Sequence, residues 1–235
     1  MSLLYLAGES ELDEDFYAAC AEKLTGQDFN WIRLRNRKGA GLDAVRRQMK
    51  NAVVMARAAA GGAEPVAFIA AMDNDRAPHP ENEVHPPGTG LDRSRLIPEE
   101  RELESRLEWM TAVVEGVLGQ NRKAWPIDVA LAVPVEMIES WIVRSRQVQQ
   151  PQPTPHFSRA DSDQARMYYH PSAPPPQWKD LADDEQRRSE RTDKRDFHLE
   201  VATNLDVDAL AGRSVSFQMF KVWLDGWKTV APAET

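Results

Sequence analysis

Three carboxylates follow apolar segments of this sequence, at positions where strands of a sheet would end. Glu9 comes two residues after the apolar run at 2–7, and Asp73 and Asp75 come directly after the run at 65–72. On an extended segment, side chains two residues apart point to the same face, so both aspartates can share one or two Mg²⁺ or Mn²⁺ ions. Glu9 would be a further ligand or the general base for a water nucleophile. The spacing predicts a metal site suited to a phosphodiester.

A further acidic pair, Glu136 and Glu139, follows the apolar run at 127–133. Residues three apart share a helical face. Glu139 is therefore predicted to be a metal ligand or a residue that contacts the ligands. The alternative is that this helix only packs on the sheet through Ser140 and Trp141.

The acidic residues also have ordinary structural explanations. Asp73 and Asp75 are typical of a solvated turn that ends a strand. Glu9 can belong to an acidic first helical turn that complements the helix dipole. His79 and His85 lie among prolines beyond Asp75, where a proton-transfer role is conceivable but loop histidines without a special role are commoner.

Basic side chains are concentrated between residues 33 and 50, although the whole chain has a net charge of −8. Such a stretch can grip phosphates beside an acidic site, and the commoner alternative is a solvated basic face. The residues predicted to contact nucleic acid are Arg33, Arg35, Arg37, Lys38, Arg46 and Arg47.

Strand and helix patterns alternate along the first part of the chain, which predicts a mainly parallel α/β sheet flanked by helices. Ligands of such sheets bind at the carboxyl ends of the strands, where the predicted carboxylates would meet. The predicted strands are 2–7, 30–35, 65–72 and 127–133, and the predicted helices are 16–24, 42–60, 98–118 and 136–143.

The chain divides by composition into three parts. Residues 1–147 are predicted to form the α/β core, and 148–178, with seven of the 16 prolines, a linker or insertion. Residues 179–235 are predicted to form a small helical cap. The aromatic stripe at 217–227 is predicted to belong to a core or an interface, and the less common alternative is a base-stacking platform.

Composition excludes several classes of protein. Cys20 is the only cysteine in 235 residues, so an intramolecular disulfide framework and a cysteine zinc cage are excluded. We find no basic leader and no apolar run approaching the roughly 18 residues of a membrane span. A cytoplasmic protein without membrane contact is expected.

The order of these motifs resembles the TOPRIM superfamily of topoisomerases, primases and small nucleases. Glu9 follows the first strand, and Asp73-Asn74-Asp75 follows a central apolar strand. Glu139-Ser140-Trp141 is similar to a signature of an uncharacterised bacterial TOPRIM-like family, and the tail at 194–224 looks like its closing segment. The resemblance covers most of the chain.

The resemblance implies a nuclease that uses Mg²⁺ or Mn²⁺ to hydrolyse DNA or RNA, with Glu9, Asp73 and Asp75 as metal ligands and Glu139 as a further catalytic residue. It also implies a role in prokaryotic anti-phage defence beside an ATPase partner, for example one of ABC type, and it is compatible with a homo-oligomer. Two alternatives stay open. One is a catalytically silent assembly subunit, because Ala7-Gly8 stands where TOPRIM proteins commonly have Glu-Gly. The other is a phosphohydrolase acting on small nucleotides.

Overall fold

The computed structural model describes residues 1–34, 42–72, 106–134, 141–142, 145 and 184–227. The strands in these ranges are β1 (Ser2–Ala7), β2 (Phe29–Arg33), β3 (Val66–Ala71) and β4 (Asp128–Ala132). The α-helices are α1 (Glu11–Thr25), α2 (Leu42–Ala59), α3 (Arg106–Leu118), α4 (Asp184–Thr203), α5 (Val207–Arg213) and α6 (Val215–Asp225).

The strands form a parallel sheet in the order β2-β1-β3-β4. In its register, Leu6 of β1 lies opposite Arg33 on one side and Ile69 on the other. Ala70 of β3 lies opposite Leu131 of β4. The sheet and its flanking helices confirm the predicted α/β class.

Every residue of β3 is buried, as its uninterrupted apolar sequence predicts for a central strand covered on both faces. Leu6 and Ile69 face a core formed with α1 and α6, whereas Tyr5 and Phe68 face a core formed with α2 and α3. The sheet therefore lies between two helical layers.

Helix α1 begins earlier than the predicted span of 16–24, because Ser10 caps it by accepting from the Asp13 amide at 3.2 Å. It ends at Gly26, whose φ of 66° is the left-handed conformation that glycine favours. Residues 14–21 are all buried. This is because the helix packs on the sheet and on both α4 and α6.

The C-terminal helices pack on the same face of the sheet as α1. Helix α4 contacts α1, and α6 contacts both α1 and β4. Phe217, Phe220 and Leu224 of α6 are buried, which confirms that the aromatic stripe belongs to a core. The Trp227 indole donates to the carbonyl oxygen of Val129 at 2.9 Å, and this contact protects the edge strand β4.

A membrane-spanning helix must be both long and apolar. Within the described ranges, no helix is long and apolar enough to span a membrane. The longest, α4, is rich in charged residues.

Candidate active site at the carboxyl ends of β1 and β3

The strand order places a topological switch point between β1 and β3. The chain passes from β1 to β2 on one side and from β3 to β4 on the other, so connections leave these two carboxyl ends in opposite directions. Such a switch point is where parallel α/β sheets bind ligands. β1 leads into Gly8 and Glu9, and β3 leads into Met72, whose amide donates to the Ala132 carbonyl at 3.0 Å.

The loop after β1 is fixed by Glu14 of α1. The Gly8 amide donates to Glu14 Oε1 at 2.9 Å in a buried contact. A Cβ atom at position 8 would lie only 2.9 Å from Glu14 Cγ, so glycine is required for this close approach. The contact holds the backbone just before Glu9 in place.

Glu14 and Asp15 form a buried acid pair, with exposed fractions of 1% and 3%. Arg33, the last residue of β2, pairs with both: its Nε lies 3.5 Å from Glu14 Oε2, and its Nη2 contacts Asp15 Oδ1. Arg195 of α4 pairs with the second oxygen of Asp15. Two carboxylates and two guanidinium groups balance one another, as buried charges require.

The partly buried position of Arg33 lowers the pKa of its guanidinium group. Desolvation lowers the pKa of Arg33, the nearby Arg195 cation lowers it further, and Glu11 opposes the change. An arginine stays charged at neutral pH even so, since its ordinary pKa is above 12. The group of Glu14, Asp15, Arg33 and Arg195, which we call the ion-pair cluster, therefore joins α1, β2 and α4.

The ion-pair cluster limits which carboxylates can serve a metal. Glu14 and Asp15 are already neutralised by arginines and by the Gly8 amide, so their environment does not call for a cation. Glu9 lies in the same loop and is only half-buried. Glu9 is therefore a carboxylate just after β1 that is partly exposed to solvent.

The other predicted residues are placed as follows. Arg33 belongs to the ion-pair cluster, and its contact with nucleic acid stays a prediction. Arg46 and Arg47 lie on α2. The predicted residues outside the described ranges are Arg35, Arg37, Lys38, Asp73, Asp75, His79, His85, Glu136 and Glu139.

A metal centre needs several ligands in one place. In the part of the chain that the structure describes, no three or more His, Cys, Asp or Glu side chains gather to hold a metal ion. Asp73 and Asp75, two of the three predicted ligands, lie outside that part. The predicted Mg²⁺ or Mn²⁺ site is therefore still a prediction.

Sequence reasoning missed the ion-pair cluster, because Glu14 is typical of an acidic first helical turn and Arg195 ends a charged stretch. A signal was present in the uncharged run 16–21. A helix that is apolar all round is buried all round, so acids directly before that run share its burial and need partners.

Known proteins offer no match to this chain. No protein-family model matches it, and no curated protein and no solved structure matches it. The functional assignment therefore depends on the residues and geometry described above.

Proposed function

We propose that this chain is a TOPRIM-like, metal-dependent nuclease that hydrolyses phosphodiester bonds of DNA or RNA. The observation that carries the proposal is the pairing of β1 with β3 at the centre of the parallel sheet. The first of these strands leads into Glu9, and the second precedes Asp73-Asn74-Asp75 in the sequence. Both predicted acidic motifs thus follow adjacent strand ends at the switch point.

Glu9, Asp73 and Asp75 would hold Mg²⁺ or Mn²⁺ in this proposal, and Glu139 would support them. A bound metal ion supplies an activated water and neutralises charge on the phosphate. Glu9 follows a backbone fixed by the Gly8–Glu14 hydrogen bond, so its position relative to β1 is defined. A defined position is what a ligand or a general base requires.

The basic stretch after β2 would bind the phosphate backbone. Its residues do not contribute equally, because the charge of Arg33 is balanced by Glu14 and Asp15. We expect the main contribution from the other basic residues of this stretch. They are Arg35, Arg37, Lys38, Arg46 and Arg47.

The setting proposed from the TOPRIM resemblance is prokaryotic anti-phage defence in the cytoplasm. An ATPase partner, of ABC type, would restrain or release the nuclease. These proposals depend on the resemblance and not on contacts in the structure.

Cleavage of end-labelled DNA and RNA tests the activity, with Mg²⁺, Mn²⁺ or EDTA and with small nucleotides as comparison substrates. The wild type should cut a polymer only with metal, and the Asp73→Asn, Asp75→Asn double variant should not. Glu64→Gln is the matched control, because Glu64 is exposed and precedes β3 at its opposite end. Release of phosphate from small nucleotides alone would instead favour a phosphohydrolase.

A second candidate is the catalytically silent assembly subunit. It is favoured by the neutralisation of Glu14 and Asp15, which leaves fewer carboxylates after β1 for a metal ion. Absence of cutting with every polymer, with and without a proposed ATPase partner, would support this candidate and contradict the nuclease.

A further inference from the structure

A pocket of about 820 Å³ lies at the other end of the sheet, between α3, the start of β4 and α6. Asp128, the first residue of β4, contributes to its wall. Because the strands are parallel, this amino end of β4 is remote from the carboxyl ends that carry Glu9. The volume is within the usual range of about 300–1,000 Å³ for small-molecule sites.

Two indoles form an aromatic wall of this pocket. The rings of Trp125 and Trp223 are parallel to within 9°, with centroids 6.5 Å apart. Trp125 is fixed, because its Nε1 donates to the Gly119 carbonyl at 2.7 Å and only 4% of the residue is exposed. Trp223 is only partly buried, so its ring is the one that can stack against a planar group of a ligand.

A guanidinium group lies on the same wall. The Arg122 Cζ atom is 4.8 Å from the Trp223 centroid and 5.9 Å from the Trp125 centroid. Stacking on indoles holds a guanidinium in one plane while its edge can still donate to a phosphate. Lys123, exposed on the next position, adds a second cation to the lining.

The pocket lining carries charges of both signs. Arg122 and Lys123 are opposed in the lining by Asp128, and Arg122 also pairs with Glu115 at 3.4 Å. This near balance suits one or two phosphates better than a polyanionic strand, which favours long stretches of positive charge. Asp128 and Gln218 supply the hydrogen-bonding groups that a base edge or a ribose needs.

We propose that this pocket binds a free nucleotide, with its base against the indole wall and its phosphate near Arg122 and Lys123. The site is separate from the proposed nuclease centre and does not depend on that activity. Its walls are held by Trp125 and by Trp227, whose indole is anchored on β4. A preformed site loses little entropy on binding.

Isothermal titration calorimetry of the full chain in EDTA tests this proposal, with AMP, GMP, CMP and UMP as probes. EDTA keeps the proposed nuclease inactive, so failure of either proposal can be recognised separately. At least one nucleotide should bind saturably, and the matching nucleoside should bind at least tenfold more weakly. Lys123→Glu should weaken nucleotide binding at least tenfold.

The matched control for Lys123→Glu is Lys23→Glu, an exposed position on α1 with the same change of charge, which should alter affinity less than twofold. Val222→Glu gives a second variant, because Val222 lines the pocket yet is 63% exposed and tolerates a polar group. Its control is Val54→Glu, 47% exposed on α2. All four should keep the wild-type melting temperature within a few degrees.

Three results would overturn the proposal. One is no saturable binding of any of the four nucleotides up to millimolar concentration. Another is equal weakening by Lys123→Glu and Lys23→Glu, which would place binding elsewhere. The third is tighter binding of a single-stranded oligonucleotide than of any free nucleotide, with the oligonucleotide affinity also lowered by Lys123→Glu. The occupant of the pocket would then be a nucleic-acid strand.

Discussion

The indole N–H of Trp141 donates to Ser216 Oγ at 2.9 Å, although the two residues are 75 positions apart. Both are buried, and Ser216 Oγ is also 3.1 Å from Oγ of Ser214, the N-cap of α6. The Trp141 ring packs edge-on against Phe217 at 5.0 Å. Two segments that are distant in the sequence therefore meet in one core.

The Trp141–Ser216 hydrogen bond should be measurable as a coupling energy. Trp141→Phe should lower the free energy of unfolding by about 2 kcal/mol, through lost packing and the lost hydrogen bond to Ser216. Ser216→Ala should cost about 1–2 kcal/mol because it leaves a buried indole N–H unpaired. In a double-mutant cycle by urea unfolding, the two changes should couple by about 1 kcal/mol. Strict additivity would contradict the hydrogen bond.

The ion-pair cluster makes Arg33 important for stability. Arg33→Met should lower the free energy of unfolding by about 3 kcal/mol, because it leaves the buried carboxylates of Glu14 and Asp15 undercompensated. Arg195→Met should cost less, since the Arg195 side chain is 49% exposed and Asp15 keeps Arg33. Chemical denaturation measures both values.

A rescue variant separates charge from packing at Arg33. In the Arg33→Met background, Asp15→Asn should recover part of the lost stability, because it removes a buried charge that has lost one of its two arginine partners. In the wild-type background the same change should destabilise. If Asp15→Asn is equally harmful in both backgrounds, the contact with Arg33 is not what matters.

Gly8 should not tolerate a side chain. Gly8→Ala should cost about 1–2 kcal/mol, because the new Cβ would lie 2.9 Å from Glu14 Cγ and disturb the buried Gly8–Glu14 hydrogen bond. Gly116→Ala is the matched control: Gly116 is exposed within α3, and a methyl group added there would meet nothing within 4 Å. The control should gain about 0.5–1 kcal/mol. Equal effects in thermal melts would refute the close approach.

Burial raises the pKa of the Cys20 thiol well above its ordinary value. The unfolded chain loses this proton above about pH 8.5, whereas the folded chain keeps it, so stability falls as pH rises. The stability advantage of the wild type over Cys20→Ala should shrink by about 1.4 kcal/mol between pH 7.5 and pH 9.5. A pH-independent difference in urea melts would show that the thiol is not buried in the folded state.

The sequence was sufficient for the local elements of the fold. The apolar run of β3 predicted a central strand, and β1 agrees with its predicted bounds of 2–7. The strand order was not accessible, because four similar apolar segments do not show which neighbours pair. That order matters most, since it makes β1 and β3 adjacent.

The partners of buried charges could not be predicted either, because a local sequence pattern does not show which distant segments meet. Arg195 and Asp15 are 180 positions apart, and their contact depends on how α4 packs on α1. The place of Glu9 just after a strand could be predicted from local context, because β1 has its predicted bounds. Positions next to strand ends were therefore predictable, whereas contacts that depend on helix packing were not.

Metal binding at the switch point tests the central claim most directly, and Mn²⁺ can be titrated by electron paramagnetic resonance without any substrate. The wild type should bind Mn²⁺ saturably, and Glu9→Gln and the Asp73→Asn, Asp75→Asn double variant should each weaken binding at least tenfold. Glu64→Gln should bind like the wild type. Absence of binding in the wild type at millimolar Mn²⁺, or equal binding in all four proteins, would contradict the proposed metal centre.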